Sequence, residues 1–276
     1  MDQQSFYLIL PSNVQSSPSN SLSNFLTILA KQITLQGSWR VALTEISYTN
    51  SIYNVAEDEP IYLYDCDMRN YLGKDGKDSF LKKGYYKTEG DLLKSINKIL
   101  KDFPVKQPPR VKYNSKTHKI VIKDGLKKDA CSLFVHFSSE MRNMLGLAKT
   151  ASLVSDINYN WDSKTEVSLL LPTMFEEAES PIDMKAGRRA MLVYTDIVEP
   201  VFIGDTQAQI LRTVEVPESA TFGEQVVFKY SKPYYIPLIT NDFSTIRVNI
   251  KSDDGIDIPF EFGRVVLTLH FQKWKE

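Results

Sequence analysis

Residues 262–271 read FGRVVLTLHF, and from Val265 onward the run alternates strictly: Val265, Leu267, Leu269 and Phe271 share one face, Val266, Thr268, His270 and Gln272 the other. A period of two marks a strand with one buried face. Residues 244–252 (STIRVNIKS) repeat it, with Ile246, Val248 and Ile250 set against Arg247, Asn249 and Lys251. The SDDG tetrapeptide at residues 252–255 follows with turn chemistry. Two such strands predict antiparallel sheet. Working back toward Pro181, AMLVYTDIV, QILRTVEV and QVVFKY add three more apolar runs divided by turns, a pattern that suggests a sandwich or barrel.

The N-terminal part is also strand-like. Residues 6–10 form a short apolar run stopped by Pro11 and a polar stretch, SNVQSSPSNS, with loop composition. NFLTILAKQITL follows, and Gly37 then turns the chain into SWRVALTEISY. In that last strand Trp39, Val41 and Leu43 share a face while Ile46 and Tyr48 fall on the opposite parity, so a bulge near Thr44 and Glu45 is expected to return both to the core.

The middle of the chain changes period. In TEGDLLKSINKIL, residues Leu92, Leu93, Ile96, Ile99 and Leu100 fall on one helical face, Thr88 and Asp91 stand at capping-box spacing, and Pro104 lies past the end. VKYNSKTHKIVIK reads as a hairpin turning at residues 114–117, and LFVHF as a further strand. Ser138 or Ser139 can cap a second, short helix that Gly146 ends. Residues 67–158 therefore read as a compact α+β insertion.

Composition narrows function. With 33 Lys and Arg against 34 Asp and Glu, the net charge of −1 offers no overall field to draw phosphate or anionic lipid, which makes nucleic acid an unlikely partner and a membrane no partner. Cys66 and Cys131 lack CxxC spacing, so neither a disulfide framework nor a metal knuckle is expected; one bridge between them stays open beside the plainer reading of two reduced thiols. No basic n-region precedes the short apolar run at the N-terminus, so secretion is not expected.

Candidate chemistry is sparse. His118, His136 and His270 are isolated, without a second ligand at metal spacing. No GxSxG, GxGxxG or Walker A motif is present. Acidic clusters at Asp65 with Asp67, Glu176 with Glu177, and Asp253, Asp254 and Asp257 read first as solvated loops. Lys82, Lys83, Lys112, Lys116, Lys119, Lys123, Lys127 and Lys128, near Tyr86 and Tyr113, read as a solvated hairpin or a weak nucleic-acid face. We expect no enzyme, cofactor or metal. The 14 Tyr and 14 Phe fit a sheet protein with partners, and Trp161, Tyr234, Tyr235 and Trp274 are the candidate interface anchors, Trp39 being placed in the core.

As an ordered set, FYLILPSN, SNFLTILAKQITLQGSWRVALTEISY, GYYKTEGDLLKSINKIL, VYTDIVEP, IGD, PYYIPL and IPFEFGRVVLTLHF resemble the minor capsid (penton) proteins of Polinton or Maverick elements and related adintoviruses. The resemblance implies a single jelly-roll β-sandwich made discontinuously from residues 1–65 and 181–276, with residues 66–180 as an inserted small α+β domain. It implies a homopentamer at the fivefold vertices of an icosahedral capsid, beside a double jelly-roll major capsid protein. The implied location is a virion or virus-like particle assembled in the cytoplasm or nucleus. A jelly-roll attachment or glycan-binding module is the alternative, and a hydrolase using loop carboxylates the third.

Overall fold

The computed structural model describes residues 4–13, 19–64, 79–123, 133–147, 170–172, 177–185, 188–217, 219–253 and 255–274. The chain divides into two compact units, Met1–Ile52 with Arg188–Glu276, and Tyr53–Gly187. In chain order the first unit opens with β1 (Ser5–Pro11), β2 (Asn24–Thr34) and β3 (Trp39–Thr49). The second holds β4 (Glu59–Tyr64), β5 (Ser79–Leu81), α1 (Glu89–Asp102), β6 (Arg110–Asn114), β7 (Lys119–Lys123), β8 (Phe134–Phe137), α2 (Ser139–Met144) and β9 (Leu170–Pro172). The first unit then resumes with β10 (Ala190–Thr195), β11 (Val201–Ile203), β12 (Thr206–Ala208), β13 (Ile210–Glu215), β14 (Gln225–Lys229), β15 (Ile236–Pro237), β16 (Asp242–Lys251) and β17 (Val265–Lys273).

Two antiparallel sheets make the sandwich of the first unit, and β11 pairs with β12 apart from them. One runs β1-β17-β3-β14, with β15 also on β3; the other runs β13-β10-β16-β2. Counting those eight main strands in chain order, the sheets read 1-8-3-6 and 5-4-7-2. That wiring, with the first strand beside the last, is a jelly-roll β-sandwich. Its alternating strands bury their apolar faces: Ile246, Val248 and Ile250 from β16, and Leu267, Leu269 and Phe271 from β17, are fully buried in one core.

The second unit enters between the third and fourth strands of this roll. The β16 and β17 strands are chain neighbours but lie in opposite sheets, so the connection that starts at Ser252 is a crossing and not a hairpin. Phe271 stacks on Phe6 at 4.7 Å between centroids and lies 5.8 Å from Phe243 of the other sheet. The bulge in β3 falls where the parity change required it. Leu43 faces Leu269 and Glu45 faces Thr268, which leaves Thr44 as the extra residue. Its hydroxyl donates to the Thr268 carbonyl at 3.0 Å, and Ile46 and Tyr48 return to the core.

In the second unit β5, β4, β8 and β9 form a sheet, and β6 and β7 a hairpin. The Thr88 hydroxyl accepts from the Asp91 N–H while the Asp91 carboxylate accepts from the Thr88 N–H, completing the capping box. Leu92, Leu93, Ile96 and Leu100 are buried, with Ile99 packed at the margin. Ser138 caps α2, and Gly146 ends it at φ 75°: the Leu147 N–H donates to the Arg142 carbonyl and the Gly146 N–H to that of Asn143, a Schellman motif. A Cβ on Gly146 would overlap the Ser180 carbonyl.

The boundaries differ from the sequence-based division at residues 65 and 181. Residues 61–64 (IYLY) lie in β4, which pairs with β5 and β8 and so belongs to the inserted unit. Ile182 and Met184 likewise pack against that unit's core. An apolar run announces a strand but not the sheet it joins.

Candidate assembly surface

Most residues of β1 are apolar on both faces, which is unusual for an edge strand with water on one side. Phe6, Leu8 and Leu10 point into the sandwich, and Tyr7 and Ile9 point out, 61% and 64% exposed. Register then places Tyr7 beside His270 of β17, and His270 beside Ala42 of β3. Ile236 pairs with Val41, so Tyr235, one residue earlier, falls next to Ala42.

Alanine at that central position leaves room for its neighbours to meet over it. The Tyr7 ring stacks on the His270 ring at 4.4 Å, and the Tyr235 hydroxyl lies 2.6 Å from His270 Nδ1. The Arg40 guanidinium sits 4.6 Å over the Tyr235 ring and donates to Gln272 Oε1 through Nε at 3.2 Å and Nη2 at 2.8 Å. Ala42 is fully covered as a result. Desolvation lowers the pKa of His270 below the ordinary imidazole value and raises that of Tyr235. Both shifts favour a neutral ring accepting at Nδ1 from the tyrosine hydroxyl. The product is a rigid aromatic row across the outer face of the sheet, which presents area at little cost in side-chain entropy.

Of the four anchors expected from sequence, Tyr235 joins this row and Tyr234 stands next to it, 62% exposed. Trp274 follows β17, 48% exposed, with its backbone N–H donated to the Ser38 carbonyl. Trp161 lies outside the described residues, as do Cys66 and Cys131. Sequence reading missed Tyr7, Ile9 and Arg40. The signal for the first two was the unbroken FYLIL run, since its second apolar face has no core to enter. Further exposed apolar side chains lie elsewhere on the same unit, notably Ile28 on β2 and Phe202 on β11.

The other histidines do not converge on chemistry. His118, at φ 58° in the β6–β7 turn, lies 2.7 Å through Nδ1 from the Tyr113 hydroxyl, and His136 is buried on β8. Among the described residues no group of three His, Cys, Asp or Glu could hold a metal ion, and no helix is long and apolar enough to cross a membrane.

Fold and surface together define a class: a jelly-roll β-sandwich with an α+β unit inserted between its third and fourth strands. No protein-family model matches the chain, and no curated protein does. Among solved structures it is similar to the mavirus penton protein (crystal structure of the SeMet-labelled form), at 14% identity over 98% of this chain and 100% of that one, with a TM-score of 0.47. The fold assignment rests on the strand wiring and not on that likeness.

Proposed function

We propose that this chain is a structural minor capsid (penton) subunit of the Polinton, Maverick and adintovirus type. Five copies ring a fivefold vertex of an icosahedral capsid, beside a double jelly-roll major capsid protein, within a virion. The observation that carries the reading is the aromatic row on the outer face of the jelly roll, with Tyr7 and Ile9 exposed on an edge strand. The ordered sequence blocks quoted above agree with it. A closed ring of five needs heterologous contacts, in which one patch meets a different patch on the next copy. Exposed apolar groups at separate places, Tyr7, Ile9 and Tyr234 on one side and Ile28 and Phe202 elsewhere, are the kind of surface this requires.

Light scattering coupled to size-exclusion chromatography tests the reading. The wild-type chain is expected to assemble, and a Tyr7→Ser, Ile9→Ser, Tyr234→Ser variant to stay monomeric with an unchanged circular dichroism spectrum. A triple variant that assembles as readily as wild type would overturn the assignment of this face.

A further inference from the structure

The near-zero net charge hides a strong local imbalance. Residues 79–123 hold twelve Lys and Arg against three Asp and Glu, a balance of +9 inside a chain of net −1. The fold concentrates half of those cations in one place. A groove of about 1130 Å³ beside α1 is lined by Lys87, Lys94, Lys98, Lys101, Lys106 and Arg110, all exposed. Lys94, Lys98 and Lys101 follow one helix face at i, i+4 and i+7, a row roughly 10 Å long. The single acid in the lining, Asp91, is engaged in the Thr88 capping box. Among the described residues, none of the six cations forms an ion pair.

The groove is held open by two asparagine clamps. Asn97 donates to the Val111 carbonyl at 2.7 Å and accepts from its N–H at 2.8 Å, tying α1 to β6. Asn54 does the same to the Tyr86 backbone, at 2.8 and 2.9 Å, fixing the segment that carries Tyr85. Tyr85 lines the groove and is 41% exposed, so an aromatic residue stands among the cations.

We infer that this groove binds single-stranded nucleic acid, the lysine row following the phosphates and Tyr85 stacking a base. A preformed cationic track with an exposed aromatic is the arrangement that binds strands without reading sequence. It runs against the expectation from net charge that nucleic acid is an unlikely partner, since an average over the whole chain hides the local balance of +9.

The test is fluorescence anisotropy with the full chain and a labelled oligo(dT) of about 20 nucleotides, from about 50 to 200 mM salt. Each phosphate contact contributes about 0.7 to the slope of log K against log salt, so Lys94→Gln, Lys98→Gln, Lys101→Gln should flatten the slope by about 2. Tyr85→Leu should weaken binding by roughly tenfold with the slope unchanged. Lys112→Gln, Lys116→Gln, Lys119→Gln, which removes equal charge outside the groove, should change affinity far less. The substituted lysines are exposed except the half-buried Lys119, and circular dichroism checks that each variant folds. Absence of oligo(dT) binding, binding indifferent to both groove variants, or binding of a size-matched heparin fragment in place of oligo(dT) would overturn the inference, the last in favour of a sulfated glycan.

Discussion

Substituting His136 by Phe should abolish a defined part of the acid sensitivity of the inserted unit. His136 sits on β8 opposite Tyr62 of β4, with the two rings 5.3 Å apart and its Nδ1 without a hydrogen-bond partner among the described residues. Burial, and secondarily the charge of Arg142, push its pKa down to about 4. In the unfolded chain the ring titrates near about 6.5. Between those values the unfolded state holds a proton that the folded state excludes, so stability falls as pH falls from about 6.5 to about 4 and is level below that. The gap is worth roughly 3 kcal/mol at about 1.36 kcal/mol per pH unit. Phe keeps a flat ring against Tyr62 and cannot take up the proton. Urea unfolding followed at 222 nm reports this unit, because α1 and α2 both lie in it. The wild type should lose about 3 kcal/mol more than the variant between pH 7 and pH 4. Equal losses in the two proteins would refute the placement of His136 as a buried neutral ring.

Phe271→Ala should cost about 3–5 kcal/mol in the jelly-roll unit, since the ring is fully buried and stacked on Phe6; Trp39, 5.7 Å from Phe6, provides the fluorescence that reads it. Gly146→Ala should destabilise the inserted unit by about 2 kcal/mol or more, combining a left-handed φ with overlap on the Ser180 carbonyl, and thermal unfolding would show it. Thr88→Ala should cost only about 1 kcal/mol, because the hydroxyl's bonds to the Asp91 N–H and carboxylate lie at an exposed helix end, measurable by the same urea titration.

Much of the fold was legible because each strand carries its own record of burial. The parity change between Leu43 and Ile46 was enough to locate the Thr44 bulge, and the Thr88 to Asp91 spacing was enough to start α1. What strands do not record is their partner. β16 and β17 alternate in the same way yet lie in different sheets, and β4 reads like its neighbours in the roll but belongs to the insertion. The candidate surface was half legible. Tyr234 and Tyr235 drew notice as an aromatic pair, whereas the row that includes Tyr7, His270 and Arg40 joins residues far apart in sequence and exists only through register. The basic groove was obscured for a related reason, since charges on a helix face, a loop and a strand end converge only in the folded unit.

The central claim is assembly through the jelly roll into a ring of five. Electron microscopy of the purified chain, with its mass determined in solution, tests this most directly. Five copies of a 31.6 kDa chain make a particle of about 158 kDa, and the account predicts that mass together with class averages of fivefold symmetry. A monomer at high concentration, or a closed ring of any other number, would contradict it.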